Sequence, residues 1–132
     1  MKFFQRSALI LSLSLVTLFV GCSKVQNGSE LVGNYEVSHE NGTEKLELHA
    51  DGTYTHHFKP SVGTEKVYSG HWRFDAYGGD PKVELDQFLQ FFPRSNQGEP
   101  MGTLLGVEKR RNHVRLYLSY DRNQYYDQSS GK

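Results

Sequence analysis

The sequence predicts an all-β domain: an antiparallel up-and-down meander of seven to eight short strands, closed into a small barrel or a strongly curled sheet, behind a cleaved signal helix. Three observations carry this expectation. From Leu31 onwards apolar and polar residues alternate with period two, and helical spacing is weak. Turn pairs, Asn41-Gly42 and Asp51-Gly52, and the run Gly78-Gly79-Asp80-Pro81 interrupt the alternation at short intervals. Aromatic residues are plentiful, with 8 Tyr and 8 Phe, which suits pleated, half-buried strands. Closure into a barrel is favoured because it removes exposed edges.

The chain opens with Met1, Lys2 and Arg6, then an apolar stretch over residues 8–20. A spanning helix needs about 20 apolar residues, so a shorter run behind a basic start reads as a secretory signal. No second apolar run offers a membrane-crossing helix. The stretch closes on Leu18-Phe19-Val20-Gly21-Cys22, which resembles the lipobox of bacterial lipoprotein precursors, with Phe19 where that family usually has Leu, Val or Ile. The resemblance implies a signal peptide over 1–21 and a diacylglycerol thioether on Cys22, often with an N-acyl chain such as palmitate. Anchoring by two or three chains, at about 0.8 kcal/mol per buried methylene, holds a protein to its membrane. Ser23 rather than Asp after the cysteine points, for a Gram-negative source, to the outer membrane facing the periplasm. The alternative is an ordinary signal peptide whose leftover cysteine has no role. Residues 22–30 are then the lipidated N-terminus and a polar tether, 31–127 a single β domain, and 128–132 a frayed tail. With no second cysteine, the domain has no intramolecular disulfide and depends on its core.

Within the domain the first strand is predicted over 31–38. Asn41-Gly42 supplies a two-residue type I′ hairpin that sets Val37 opposite Leu46 and Tyr35 opposite Leu48. The second hairpin discriminates between registers. A two-residue loop at Asp51-Gly52 mixes the faces, whereas a three-residue loop over 50–52 with Gly52 left-handed pairs Leu48 with Tyr54 and Leu46 with His56. The hydrophobic pattern selects the second. Strand three runs 53–59 and strand four 65–75, with His56 opposite Gly70 and Tyr54 opposite Trp72; the glycine then leaves room for the imidazole. Further strands are expected over 82–88, 103–108 and 113–120, and a last short one around Tyr125 and Tyr126. The cadence Gly33-x-Tyr35, Asp51-Gly52-Thr53-Tyr54, Gly70-x-Trp72 resembles that of small lipocalin-like β proteins, and such motifs specify turns and core rather than chemistry.

Loss of Lys2 and Arg6 leaves 13 basic against 15 acidic residues, a formal charge of −2, which argues against nucleic acid as a partner. No nucleophile constellation appears, so the domain is expected not to be an enzyme and to need no cofactor. Carboxylates such as Glu44, Glu47, Glu84 and Asp86 are assigned mostly to outward positions. The expected role is a non-catalytic binding module for a small apolar ligand or an envelope protein. Tyr54, His56 and Trp72, on an aromatic inner face, are the candidate ligand residues. Phe88, Phe91 and Phe92, at the head of a long connection, are the candidate partner surface, or else a plug for one end of the barrel. The alternative function is metal binding, or metal-dependent catalysis, by His57 and His71, read as diagonal neighbours on the outer face.

Overall fold

The computed structural model describes residues 24–91, 99–119 and 123–130, so the predictions for the signal segment, Cys22 and Phe92 lie outside the described residues. Eight antiparallel strands follow one another around a closed barrel: β1 (Gly33–His39), β2 (Gly42–Leu48), β3 (Thr53–Pro60), β4 (Lys66–Asp75), β5 (Lys82–Phe88), β6 (Met101–Lys109), β7 (Val114–Ser119) and β8 (Gln124–Gln128). Every strand pairs with its sequence neighbours, and β1 meets β8 to close the ring. The closing ladder is short. It pairs Tyr35 with Gln128 and Glu36 with Asp127, extended by the Ser129 N–H donating to the Asn34 carbonyl. Among the described residues no helix is long and apolar enough to cross a membrane.

Alternation does the folding. Inward positions on all eight strands fill one core, which includes Tyr35, Leu46, Leu48, Tyr54, Val83, Leu85, Phe88, Leu105, Leu116 and Tyr126. The hairpin between β2 and β3 forms as expected, with Gly52 at φ 84 and His49 bonded to Thr53, so Leu48 faces Tyr54 and Leu46 faces His56.

Two registers differ from expectation, each by two residues. In the first hairpin His39 pairs with Gly42, so the loop is Glu40-Asn41, Tyr35 faces Leu46, and Val37 faces Glu44. Gly42 belongs to the strand because a Cβ there would sit 2.2 Å from the Lys59 carbonyl oxygen. Its missing side chain serves a close backbone approach rather than a turn. Between β3 and β4, Tyr54 rather than His56 faces Gly70, and His56 faces Tyr68. A Cβ on Gly70 would lie 2.7 Å from the Tyr54 ring and 2.6 Å from an Asp86 oxygen. The glycine therefore makes room for a phenol, not an imidazole.

The two ends of the barrel differ. At the end holding the β2–β3, β4–β5 and β6–β7 turns, the segment expected as a polar tether packs instead. Val25 is buried, residues Gly28–Leu31 form a 3-10 turn, and Leu31 enters the core while its carbonyl accepts from the Tyr35 hydroxyl at 2.7 Å. Trp72 packs against Gly28 there, and its indole N–H donates to the His49 carbonyl at 2.9 Å. That end is closed. At the other end β4 pairs with β5 only from Trp72 to Asp75, so residues 66–70 pair with β3 alone. The backbone of β5 leaves the ladder here: Gln87 takes φ 47, and the His71 N–H is satisfied by the Asp86 carboxylate at 2.6 Å. A cleft opens beside Gly70, lined by Thr53, Tyr54, Ser69, Asp86 and Gln87.

Candidate functional site

The end of the barrel opposite the 3-10 turn carries a polar group that the alternation of β2 places inside. Glu44 shares parity with Leu46 and Leu48 and is fully buried, which corrects its assignment to the outer surface. A lone carboxylate in such a place costs several kcal/mol unless hydrogen bonds replace its water. Three donors do so. The His56 Nε2–H and the Tyr126 hydroxyl both donate to Oε2 at 2.7 Å, and the His39 Nε2–H donates to Oε1 at 2.9 Å. The donor role of His39 follows from its other nitrogen, Nδ1, which accepts from the Asn41 N–H at 3.3 Å. Burial foremost, and then the Glu44 charge and hydrogen bond, hold the Tyr126 hydroxyl well above the usual tyrosine range, so it stays a donor.

His56 is the pivot of this cluster. Its side chain is 0 % exposed, Nε2 is bound to Glu44, and Nδ1 has no hydrogen-bond partner among the described residues. With the proton on Nε2, Nδ1 presents a bare lone pair. Aromatic rings surround it. The Phe88 ring stacks on the imidazole at 4.7 Å, and the Phe91 and Tyr68 rings lie at 5.9 and 6.3 Å between centroids. Phe91 in turn lies parallel to Phe58 at 4.1 Å, and Phe58 is parallel to the ring of His39. Phe88 and Phe58 are buried, while Tyr68 and Phe91 are half-buried. The result is a cluster of rings packed around one unsatisfied acceptor.

The predicted ligand residues do not form one site. Tyr54 and His56 both point inward from β3, but the Tyr54 hydroxyl is already satisfied by the Asp86 carbonyl at 2.7 Å. Burial first, and then Asp86, push that hydroxyl up to about 12. Trp72 belongs to the closed end, so it is removed from the ring cluster. Phe88, offered above to a protein partner, is fully buried and packs on Tyr54 and His56. Phe88 and Phe91 both pack into the ring cluster around His56, and Phe92, the third residue of that expectation, lies outside the described residues.

The outer histidines are not brought together. His57 pairs across the ladder with Val67 and His71 with Thr53, four residues apart, or roughly 13 Å at strand spacing. Each has carboxylate company instead: His57 lies 3.8 Å from Glu47 and 3.6 Å from Glu65, and His71 lies 3.4 Å from Asp86. Among the described residues no group of three or more His, Cys, Asp or Glu is placed to hold a metal. Sequence reasoning missed Glu44, Tyr126 and His39. Parity on β2 was the available signal for Glu44; His39 stands just across the first hairpin from it, and Tyr126 comes from a strand distant in sequence. No protein family, curated protein or solved structure matches the chain.

Proposed function

We propose that this protein is a lipid-anchored extracytoplasmic binding module that takes up a small apolar aromatic ligand at the open end of its barrel and does not transform it. The observation that carries the reading is the mouth itself. Half-exposed Phe91 and Tyr68 stand over a buried imidazole with an unsatisfied nitrogen, at the one place where the β4–β5 ladder lapses. The sandwich of Phe91 on Phe58 at 4.1 Å indicates that a flat ring fits there.

The topology accords with anchoring through acylated Cys22. Lys24 reaches the Gly79 carbonyl at 3.2 Å, so the chain joins the barrel at its closed end. A bilayer held two residues upstream then lies beside that end, and the mouth faces away from it. This arrangement leaves ligand access unobstructed, on the outer membrane's periplasmic face if the source is Gram-negative.

Calorimetric titration with 1-methylnaphthalene tests the binding reading. Saturable one-to-one binding with a negative heat-capacity change is expected, because apolar surface leaves water. The fluorescence of Trp72, at the far end, stays unchanged. Absence of saturable binding by naphthalene, 1-methylnaphthalene and biphenyl alike contradicts it.

A further inference from the structure

The interior of the open end contains a chemical asymmetry that an apolar ligand alone leaves unused. Glu44 has its donors, Tyr126 and His39 have their acceptors, and the rings have each other. Only His56 Nδ1 is left over, fully buried and without a partner among the described residues. Buried polar atoms in folded proteins are overwhelmingly paired, so a nitrogen of this kind needs a reason.

We propose that His56 Nδ1 is the acceptor for a hydroxyl on the bound ligand, so that the mouth selects phenol-type compounds, flat aromatic rings carrying one O–H, over hydrocarbons of the same shape. The inference rests on the reading of the mouth as a ligand site and names the chemical class it takes. The geometry supplies the fit. Phe91 shows where a ring sits: parallel to Phe58 and 5.9 Å from the imidazole centroid, a separation that a ring hydroxyl bridges to hydrogen-bonding range. A ligand ring takes that place by displacing the half-exposed Phe91. The charge arrangement sharpens the choice. Glu44 lies directly behind His56, so a ligand carboxylate or phosphate would bring a second anion into a dry site with one buried carboxylate already present. A neutral donor meets no such penalty. Nε2 stays bound to Glu44 and holds the imidazole in the tautomer whose Nδ1 accepts.

Discrimination of this sort is strong, because a site with a buried unpaired acceptor rejects analogues that cannot satisfy it. The test compares 1-naphthol, naphthalene and 1-methoxynaphthalene on the unaltered protein. Binding of 1-naphthol at least tenfold tighter than either of the others is expected. Equal affinity for all three overturns the assignment to His56 while leaving the apolar mouth standing, and no binding by any of them overturns both. In His56→Phe the advantage of 1-naphthol disappears and naphthalene binding persists; retention of the advantage refutes the proposal. Should that variant not fold, nitrogen-15 spectra of the unaltered protein decide. His56 Nδ1 is expected to be unprotonated in the free protein, and its resonance to move with 1-naphthol and not with naphthalene. A protonated Nδ1, or no response, overturns it.

Discussion

Replacing Tyr126 with Phe is the sharpest probe of the buried cluster, because it removes one oxygen and leaves the ring. The hydroxyl donates to Glu44 Oε2 at 2.7 Å, from β8 to β2, with both groups fully buried. A hydrogen bond to a charged acceptor contributes about 1.5–3 kcal/mol, and no large cavity is created by the change. A loss of about 2 kcal/mol is therefore expected, which for a domain near this size lowers Tm by roughly 10 °C. Urea unfolding followed by circular dichroism measures it, with the slope unchanged. The cycle with Glu44→Leu separates the bond from the ring. In that background the Tyr126 hydroxyl has lost its acceptor, so Tyr126→Phe becomes neutral or stabilising, and a coupling of about 2 kcal/mol emerges. A Tyr126→Phe cost below about 0.5 kcal/mol, or additive losses in the cycle, refutes the carboxylate-centred account of this end.

Other perturbations follow from the same geometry. Gly70→Ala forces a methyl into the Tyr54 ring and the Asp86 carboxylate, and a loss of about 1–3 kcal/mol in urea unfolding is expected. Phe91→Ala vacates the ring position on Phe58 and is expected to tighten 1-naphthol binding, read by calorimetry, because no side chain then competes with the ligand; weaker binding shows that Phe91 is a wall of the site instead. Alkaline unfolding carries a defined sign. Tyr54 is raised to about 12 in the folded protein from about 10 unfolded, so above pH 10 the unfolded chain releases its proton first and stability falls between about pH 10 and 12. Tyr54→Phe removes part of that slope. For the anchored protein, a spin label on Val62, at the β3–β4 turn beside the mouth, is expected to lie clear of the bilayer, and one on Tyr77 close to it; the reverse order contradicts the proposed orientation.

The strands and the core were legible in the sequence because burial on one face of a sheet writes a period of two into it. The hairpin at Ala50 to Gly52 could be settled outright, since the competing loop would have turned Leu48 and Tyr54 to opposite faces. The registers of β1 against β2 and of β3 against β4 could not. A slip of two residues keeps every side chain on its own face, so alternation is blind to it. What decides there is steric: Gly42 beneath the Lys59 carbonyl and Gly70 beneath the Tyr54 ring, contacts known only once three strands are in place. Asn41-Gly42 misled because the pair is a good turn signal and the glycine was needed for something else.

The candidate site was less legible than the fold. Glu44 stands in step with Leu46 and Leu48, yet a charged residue is ordinarily solvated, and that expectation outweighed the parity that placed it inside. Of its partners only His39 is local, 5 residues away across the first hairpin; Tyr126 is 82 residues away in sequence and His56 is 12. Alternation turns His56 inward, but its significance lies in Nδ1 being left over after Nε2 is used. That is a question of hydrogen-bond accounting which needs all the neighbours. Inward parity alone groups Trp72 with Tyr54 and His56, and parity gives the face a residue occupies, not its depth along the barrel.

The measurement that bears most directly on the mouth as a binding site is the set of intermolecular nuclear Overhauser effects from bound 1-naphthol. Contacts to the ring protons of Phe58 and Tyr68, with none to Trp72, are what the account predicts. Contacts confined to Trp72 and Phe74 at the closed end, or to Thr53 and Ser69 on the outer wall, contradict it.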